Sequence, residues 1–480
     1  MSLTFPSTEA REALRRLTPS FVKAQETFDP PEPNRLFLPK RHRNAFDWNS
    51  SVVVGIRGAG KSVWTAALTS ERLRGIMAKE WRLDPLANTD VHVAFGQDTR
   101  EELFPSADTL ATLDADARLI WKAVAIKRAA QELTQNTGNA DNWLDRVKWV
   151  VDNPEASNRL LSTFDAELQR KQKRLLFVFD SLDRVADDWS AMRRLVKGAL
   201  QFALSLRMTN ALRAKLFLRP DQYDDTEIWE FSDSSKLKQS KADLSWSPSD
   251  LYGLLFQLII NDEDHGFNLR SKIPQDYISH DAERGYFLTP NCDIVNPAIV
   301  ALAGQYMGRD RRRGNTLTWI PNHLADAEGR VSPRSLLLAL NAAAEDTAEN
   351  FANHDLALHY TAVFRGVGSA STIRVDELAE DYPWIKPLLD SLRGLTVPCQ
   401  PSELIERWNR TTITRMKDAG KLPPRLYTTD PLRNGRADTL IDDLVELAVV
   451  SRASGGRINI PDIFRVSAGI KRKGGVPAAR

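Results

Sequence analysis

The sequence predicts an α/β fold built on a parallel sheet with crossover helices, and three observations carry that expectation. "SVVV" (Ser51–Val54) is a short, β-branched run that enters a Gly-rich turn and then a helix-forming stretch. "RLLFVFD" (Arg174–Asp180) and "AKLFLRP" (Ala214–Pro220) are short and largely apolar, as strands buried on both faces should be. Beyond residue 245 the strand signal fades and helical spacing takes over.

Each element follows from local pattern. Residues 8–25 read as a helix with Ala10, Leu14 and Leu17 on one face and Ser7 or Thr8 as its cap. The prolines of "DPPEP" (Asp29–Pro33) then break the chain. A core should begin near Leu36, with Val91–Gly96 as its second strand. From Asp114 to Leu133, apolar residues recur at four-three spacing, and more helix is expected over residues 142–172. "SPSDLYGLLFQLII" opens with capping residues and Pro248; "SPRSLLLALN" has Ser332 as its cap and Pro333 in its first turn. Near the end, "LIDDLVELAVVSRASGGRINIPDIF" reads as a helix and two short strands joined through Gly455-Gly456. These patterns divide the chain into an N-terminal helix and linker (1–35), a core (36–245), a helical lid (246–365) and a winged-helix-like C-terminal domain (366–480).

Composition sets the bounds on function. A chain of 480 residues exceeds one ordinary core. Its 65 Lys and Arg against 63 Asp and Glu leave a net charge of +2, so any nucleic-acid surface must be local. Two distant cysteines, Cys292 and Cys399, support neither a disulfide framework nor a zinc site. No apolar run approaches eighteen residues, so the expectation is a cytoplasmic protein with no membrane partner.

"GIRGAGKS" (Gly55–Ser62) fills the phosphate-loop template G-x-x-x-x-G-K-[ST]. Gly55, Gly58 and Gly60 permit torsions that turn backbone N–H groups onto phosphates. Lys61 would neutralise the β- and γ-phosphates of ATP, Ser62 would place its hydroxyl on Mg²⁺, and Val63 continues the helix whose positive end faces the anion. The second metal-side group is the carboxylate of Asp180, at the C-terminal edge of an apolar strand. Where many P-loop ATPases place a glutamate, the next residue is Ser181, so Asp183 becomes the candidate for activating water.

"LLFVFDSLDR" is similar to the Walker B pattern of the STAND and KAP groups of bacterial P-loop ATPases, over residues 36–345. The resemblance implies an additional-strand ATPase acting as a switch or assembly subunit, often in phage defence. It also implies a nucleotide sensor at Arg219 in "KLFLRPD" and a second sensor at Arg334 in "VSPRS". Ser181 departs from the KAP ending, where two acids usually stand.

Two basic segments remain. "MGRDRRRGN" sets Arg309, Arg311, Arg312 and Arg313 against Asp310, and fits an arginine finger, nucleic-acid phosphates or a solvated loop. In the tail, Arg457, Lys471, Arg472 and Lys473 suit either a DNA-facing wing or a protein-docking module. The expected partners are a second copy of the chain or an effector protein, with nucleic acid through the tail as an alternative. A DNA-loading ATPase and a nucleotide-gated scaffold with little turnover are the competing functions.

Overall fold

A computed structural model describes residues 3–17, 29–97, 102–134, 142–186, 188–289, 293–420, 423 and 437–473. They fall into two compact units. One runs from Leu38 to Ser245; the other combines the N-terminal helix, Glu32–Phe37 and the chain from Trp246 onward.

The first unit is built on five strands: β1 (Val52–Val54), β2 (Thr89–Phe95), β3 (Arg174–Phe179), β4 (Leu212–Leu218) and β5 (Lys241–Asp243). Their order is β2-β3-β4-β1-β5, and every pair is parallel. Parallel sheets are covered on both faces, which is why β1 and residues 175–179 are wholly buried apolar runs. β4 lies between β1 and β3, so the strand entering the Gly-rich loop and the strand ending at Asp180 are not neighbours. That is the additional-strand arrangement. β5 carries no strand signal of its own, because Lys241 and Asp243 face outward and pair at 3.0 Å; only Ala242, beside Val53, is buried.

The crossover helices explain the rest of the apolar pattern. The helical stretch expected over 142–172 resolves into Trp143–Asp152 and Pro154–Arg170. Pro154 starts the second because the missing N–H costs nothing in a first turn. Buried Asp165 accepts hydrogen bonds from the backbone N–H of Asn210 and Ala211, tying that helix to the start of β4. Helices Ala117–Leu133 and Trp189–Leu206 cross closely at Gly198, where a Cβ would stand 2.4 Å from Ala117 Cβ. Trp121 seals the crossing by donating Nε1–H to Leu195 O at 2.9 Å. Gly198→Val is therefore expected to destabilise this unit by about 3 kcal/mol through overpacking, read as a lower urea midpoint; an unchanged midpoint would contradict the close crossing.

In the second unit the N-terminal helix spans Ser7–Arg15, and buried Arg11 donates to the carbonyls of Ala357, Ala352 and Leu356. Ser247 caps Pro248–Ile260 and Ser332 caps Pro333–Asn350, each with proline in the first turn as the sequence indicates. Between them stands a hairpin that the fading strand signal hides, β6 (Ile278–Asp281) with β7 (Gly285–Leu288). The helix Tyr360–Asp381 meets Pro333–Asn350 at Gly366, where a Cβ would lie 2.2 Å from Ala339 O. Toward the end, helix Ala437–Glu446 leads into β9 (Ser451–Arg452) and β10 (Ile458–Asn459), antiparallel and joined through Gly455 and Gly456 at positive φ. The chain returns as β11 (Lys471–Arg472), parallel to β8 (Thr396–Val397). Among the described residues, no helix is long and apolar enough to cross a membrane.

Candidate active site

The loop after β1 is fixed at both ends. Gly55 N–H donates to Leu218 O at 3.0 Å on β4, and Leu244 N–H donates to Val54 O at 2.8 Å. A Cβ on Gly55 would lie 3.2 Å from Leu244 Cβ, so only glycine passes this gap without displacing its neighbours. Gly58 and Gly60 adopt φ of +80° and +97°, the left-handed torsions that fold the loop over the start of helix Lys61–Thr69. Val63 lies in the first turn of that helix.

Lys61 Nζ donates to Gly55 O at 2.8 Å and Ile56 O at 3.2 Å. Lys61 as a residue is half-buried, yet its ammonium is enclosed by protein. Burial brings its pKa down to about 8, with Asp183 and Asp180 pulling upward and Arg219 adding to the depression.

Asp180 is 1% exposed and follows β3, its N–H donating to Phe95 O at 2.9 Å. Neither carboxylate oxygen has a hydrogen bond of ordinary geometry; the Ser62 hydroxyl and Ser181 N–H are its neighbouring donors. Burial raises its pKa, against the pull of Lys61 and Ser62. A buried carboxylate with its oxygens uncommitted, beside a serine hydroxyl, fits a hard divalent cation such as Mg²⁺.

Ser181 takes the left-handed conformation at φ 54°, a turn that side chains enter at a cost of order 1–3 kcal/mol. This turn brings Asp183 toward Arg219, whose Nη1 lies 3.5 Å from Asp183 Oδ2. Burial pushes the Asp183 carboxyl upward, but Arg219 and Lys61 outweigh it and hold it below the usual range. Arg219 is itself buried and has a second carboxylate, Asp221, with Nε 3.4 Å from its Oδ1. Buried Gln222 accepts the Arg219 N–H at 3.0 Å and fixes that backbone. Sequence reasoning overlooks Asp221 and Gln222, although Pro220 at N1 and glutamine at N3 mark a helix start.

The structure thus brings Lys61, Ser62, Asp180, Asp183 and Arg219 into one cluster. Arg334 lies in the other unit, where it pairs with Glu377, a carboxylate that also has Arg374 at 3.7 Å.

Two further polar residues of the Leu38–Ser245 unit are deeply buried. His42, in the basic run "PKRHRN", is fully buried, with Nε2 2.9 Å from Ser245 O and its ring edge-on to Trp64. Trp64 packs among Phe46 and Trp81. Lys215, within β4, is 1% exposed and donates to the carbonyls of Ser50 and Asp47.

Burial holds Lys215 at about 7, against 10.5 for an ordinary lysine. Between those values the unfolded chain binds the extra proton, so stability should rise with pH across that window. Lys215→Met is expected to be more stable than the parent at pH 6, on the order of 2 kcal/mol, and to lack part of the rise toward pH 10. Urea midpoints at pH 6, 8 and 10 check this; parallel profiles for parent and variant would refute it.

No protein-family profile matches the chain, and no curated protein matches it. Solved structures do. The ORC2 protein of Aeropyrum pernix, in ADPNP–ADP complexes, aligns at 12% identity over 95% of this chain and 89% of that one, with a TM-score of 0.39. A Walker-type ATPase of Pyrococcus abyssi aligns at 10% identity over 91% and 96%, with a TM-score of 0.38. Cdc6p of Pyrobaculum aerophilum aligns at 10% over 86% and 84%, with a TM-score of 0.30. The fold class rests on this chain's own topology: a parallel α/β P-loop core of the additional-strand arrangement.

Proposed function

We propose that the Leu38–Ser245 unit binds Mg²⁺-ATP and hydrolyses it, and that the cycle serves as a switch or assembly step. The observation that carries this is buried Asp180, its oxygens uncommitted, set beside Lys61 and Ser62. Lys61 and the N–H groups from Gly58 to Val63 hold the triphosphate, and Ser62 and Asp180 hold the metal. Bound Mg²⁺ supplies charge neutralisation of the β- and γ-oxygens. Asp183 orients water, and Arg219 reports the γ-phosphate. Arg334, through its pairing with Glu377, is the second reporter, and the winged-helix-like tail is the output module. The resemblance to STAND and KAP ATPases favours a cytoplasmic conflict or phage-defence complex, working as a homo-oligomer or with an effector protein. Destructive chemistry would then belong to that effector.

One observation favours a nucleotide-gated scaffold with slow turnover: Ser181 stands beside Asp180 where an acid would polarise water. Calorimetric titration with ATP, with and without Mg²⁺, alongside phosphate release, tests both readings. Metal-dependent binding with release is the expected result. Binding without release would favour the scaffold, and no nucleotide binding would end both.

A further inference from the structure

The tail carries less available charge than its composition implies. Arg452 pairs with Asp442 at 2.6 Å, and Arg465 is wholly buried against Asp462. Arg472 shares Asp462 at 3.4 Å while remaining partly exposed. Lys471 and Lys473 are exposed, with no carboxylate partner among the described residues. The larger cationic group lies elsewhere. Arg309, Arg311, Arg312 and Arg313 are all exposed, and none has an ion-pair partner among the described residues. Asp310, the only acid among them, accepts the Arg312 N–H at 2.8 Å and so shapes the loop.

This arginine loop is preorganised. Met307 N–H donates to Gly314 O and Thr316 N–H to Gln305 O, both at 3.0 Å, closing it as a hairpin. The Arg313 stem crosses Gly308, where a Cβ would lie 2.9 Å from Arg313 Cγ. Gly314 rests on Trp319, whose ring stacks on His323 at 3.8 Å. His323 Nε2 lies 3.4 Å from Asp462 Oδ2, and Asp462 pairs with Arg472. The arginine hairpin and the strand of Lys471 and Arg472 therefore sit at opposite ends of one helix, Thr316–Leu324.

We propose that these two basic segments form one surface for a nucleic-acid backbone. Nine helical residues span about 13 Å, longer than one triphosphate needs but matched to a duplex carrying about one charge per 1.7 Å of axis. Protein partners usually require an apolar centre, and residues 305–315 expose no large apolar side chain. The contact is to phosphates, so it is sequence-independent, and it stands apart from the hydrolysis reading.

The test is fluorescence anisotropy of the full chain on a 30-base-pair DNA duplex, the same RNA duplex and single-stranded DNA, from 50 to 300 mM salt. Parent protein is expected to bind with a steep negative salt slope. Arg311→Ala/Arg312→Ala should lower that slope by about 2 on every duplex sequence, and Lys471→Ala/Lys473→Ala should lower it similarly. Circular dichroism confirms that each variant is folded, and the arms rank DNA against RNA. Lys61→Ala should keep the parent slope, which separates this surface from the nucleotide site. Absence of binding at 50 mM salt, or a slope unmoved by either double substitution, would overturn the proposal. So would a slope removed by Arg457→Ala alone, which would place the contact on the hairpin tip of β9 and β10. Loss of ATP-dependent assembly with an unmoved slope would make the loop a protein contact instead.

Discussion

Lys61→Ala is expected to cut phosphate release by at least about 100-fold, the loss usual when a charged donor to the reacting anion is removed. The folded chain should tolerate the change. Burial already depresses this ammonium to about 8, so the fold gains nothing from its charge, and the melting temperature should stay level or rise slightly. A pH signature accompanies the loss. Triphosphate binding needs the ammonium, which deprotonates as pH rises through about 8, so parent affinity should fall between pH 7.5 and 9.5. Anion binding opposes that deprotonation and moves the limb upward as nucleotide approaches saturation. Lys61→Ala should be flat across the same range, and Lys61→Arg should keep charge while losing the reach to Gly55 O and Ile56 O. Calorimetric affinities at four pH values check the set; an equally steep fall in Lys61→Ala would assign the titration to another group.

What the sequence reveals of this site depends on whether the physics is local. The Gly-rich loop is legible because left-handed torsions demand glycine at Gly58 and Gly60 whatever the rest of the chain does. Asp180 is legible because an acid closing the apolar β3 can only sit at a strand end. The partnership of Arg219 with Asp183 is not local: the two are 36 positions apart and meet at 3.5 Å only because β3 and β4 are neighbours. Lys215 is hidden for a related reason. A lysine within a strand normally signals an exposed face, and its burial follows from carbonyls of residues 47 and 50, which β1 brings alongside. β5 and the β6–β7 hairpin escape because they are short: Ala242 is the one buried residue of β5, and those of β6 and β7 are exposed or half-buried, so no apolar run marks them. Burial of His42 is equally invisible, since its acceptor is Ser245, some two hundred residues on. In the tail, sequence counts charges but not their pairing, and Arg452 and Arg465 are spent on Asp442 and Asp462.

The carboxylate that orients water is the remaining question, and Asp183→Asn with Arg219→Ala separates the answers. If Asp183 is the base, Asp183→Asn should lower turnover by about 100-fold or more while ATP affinity changes little. If Asp183 serves only to hold Arg219, its loss should match Arg219→Ala in size, and combining the two should add nothing. The pH profile decides further. A base must be ionised, so turnover falls as pH drops through its pKa. Arg219 and Lys61 hold Asp183 below the ordinary carboxylate range, and the acid limb of the parent should lie correspondingly low. Arg219→Ala removes the larger of those two pulls, leaves burial in place, and should shift the limb toward neutral pH. Asp221, 3.4 Å from Arg219 in the parent, supplies the control: Asp221→Asn loosens one anchor of the guanidinium and leaves the Asp183–Arg219 pair intact, so its acid limb should stay low. An acid limb that does not move in Arg219→Ala would take the role away from Asp183. The strained turn at Ser181 would then hold that side chain for Arg219 alone, and slow turnover would be the native behaviour of this site.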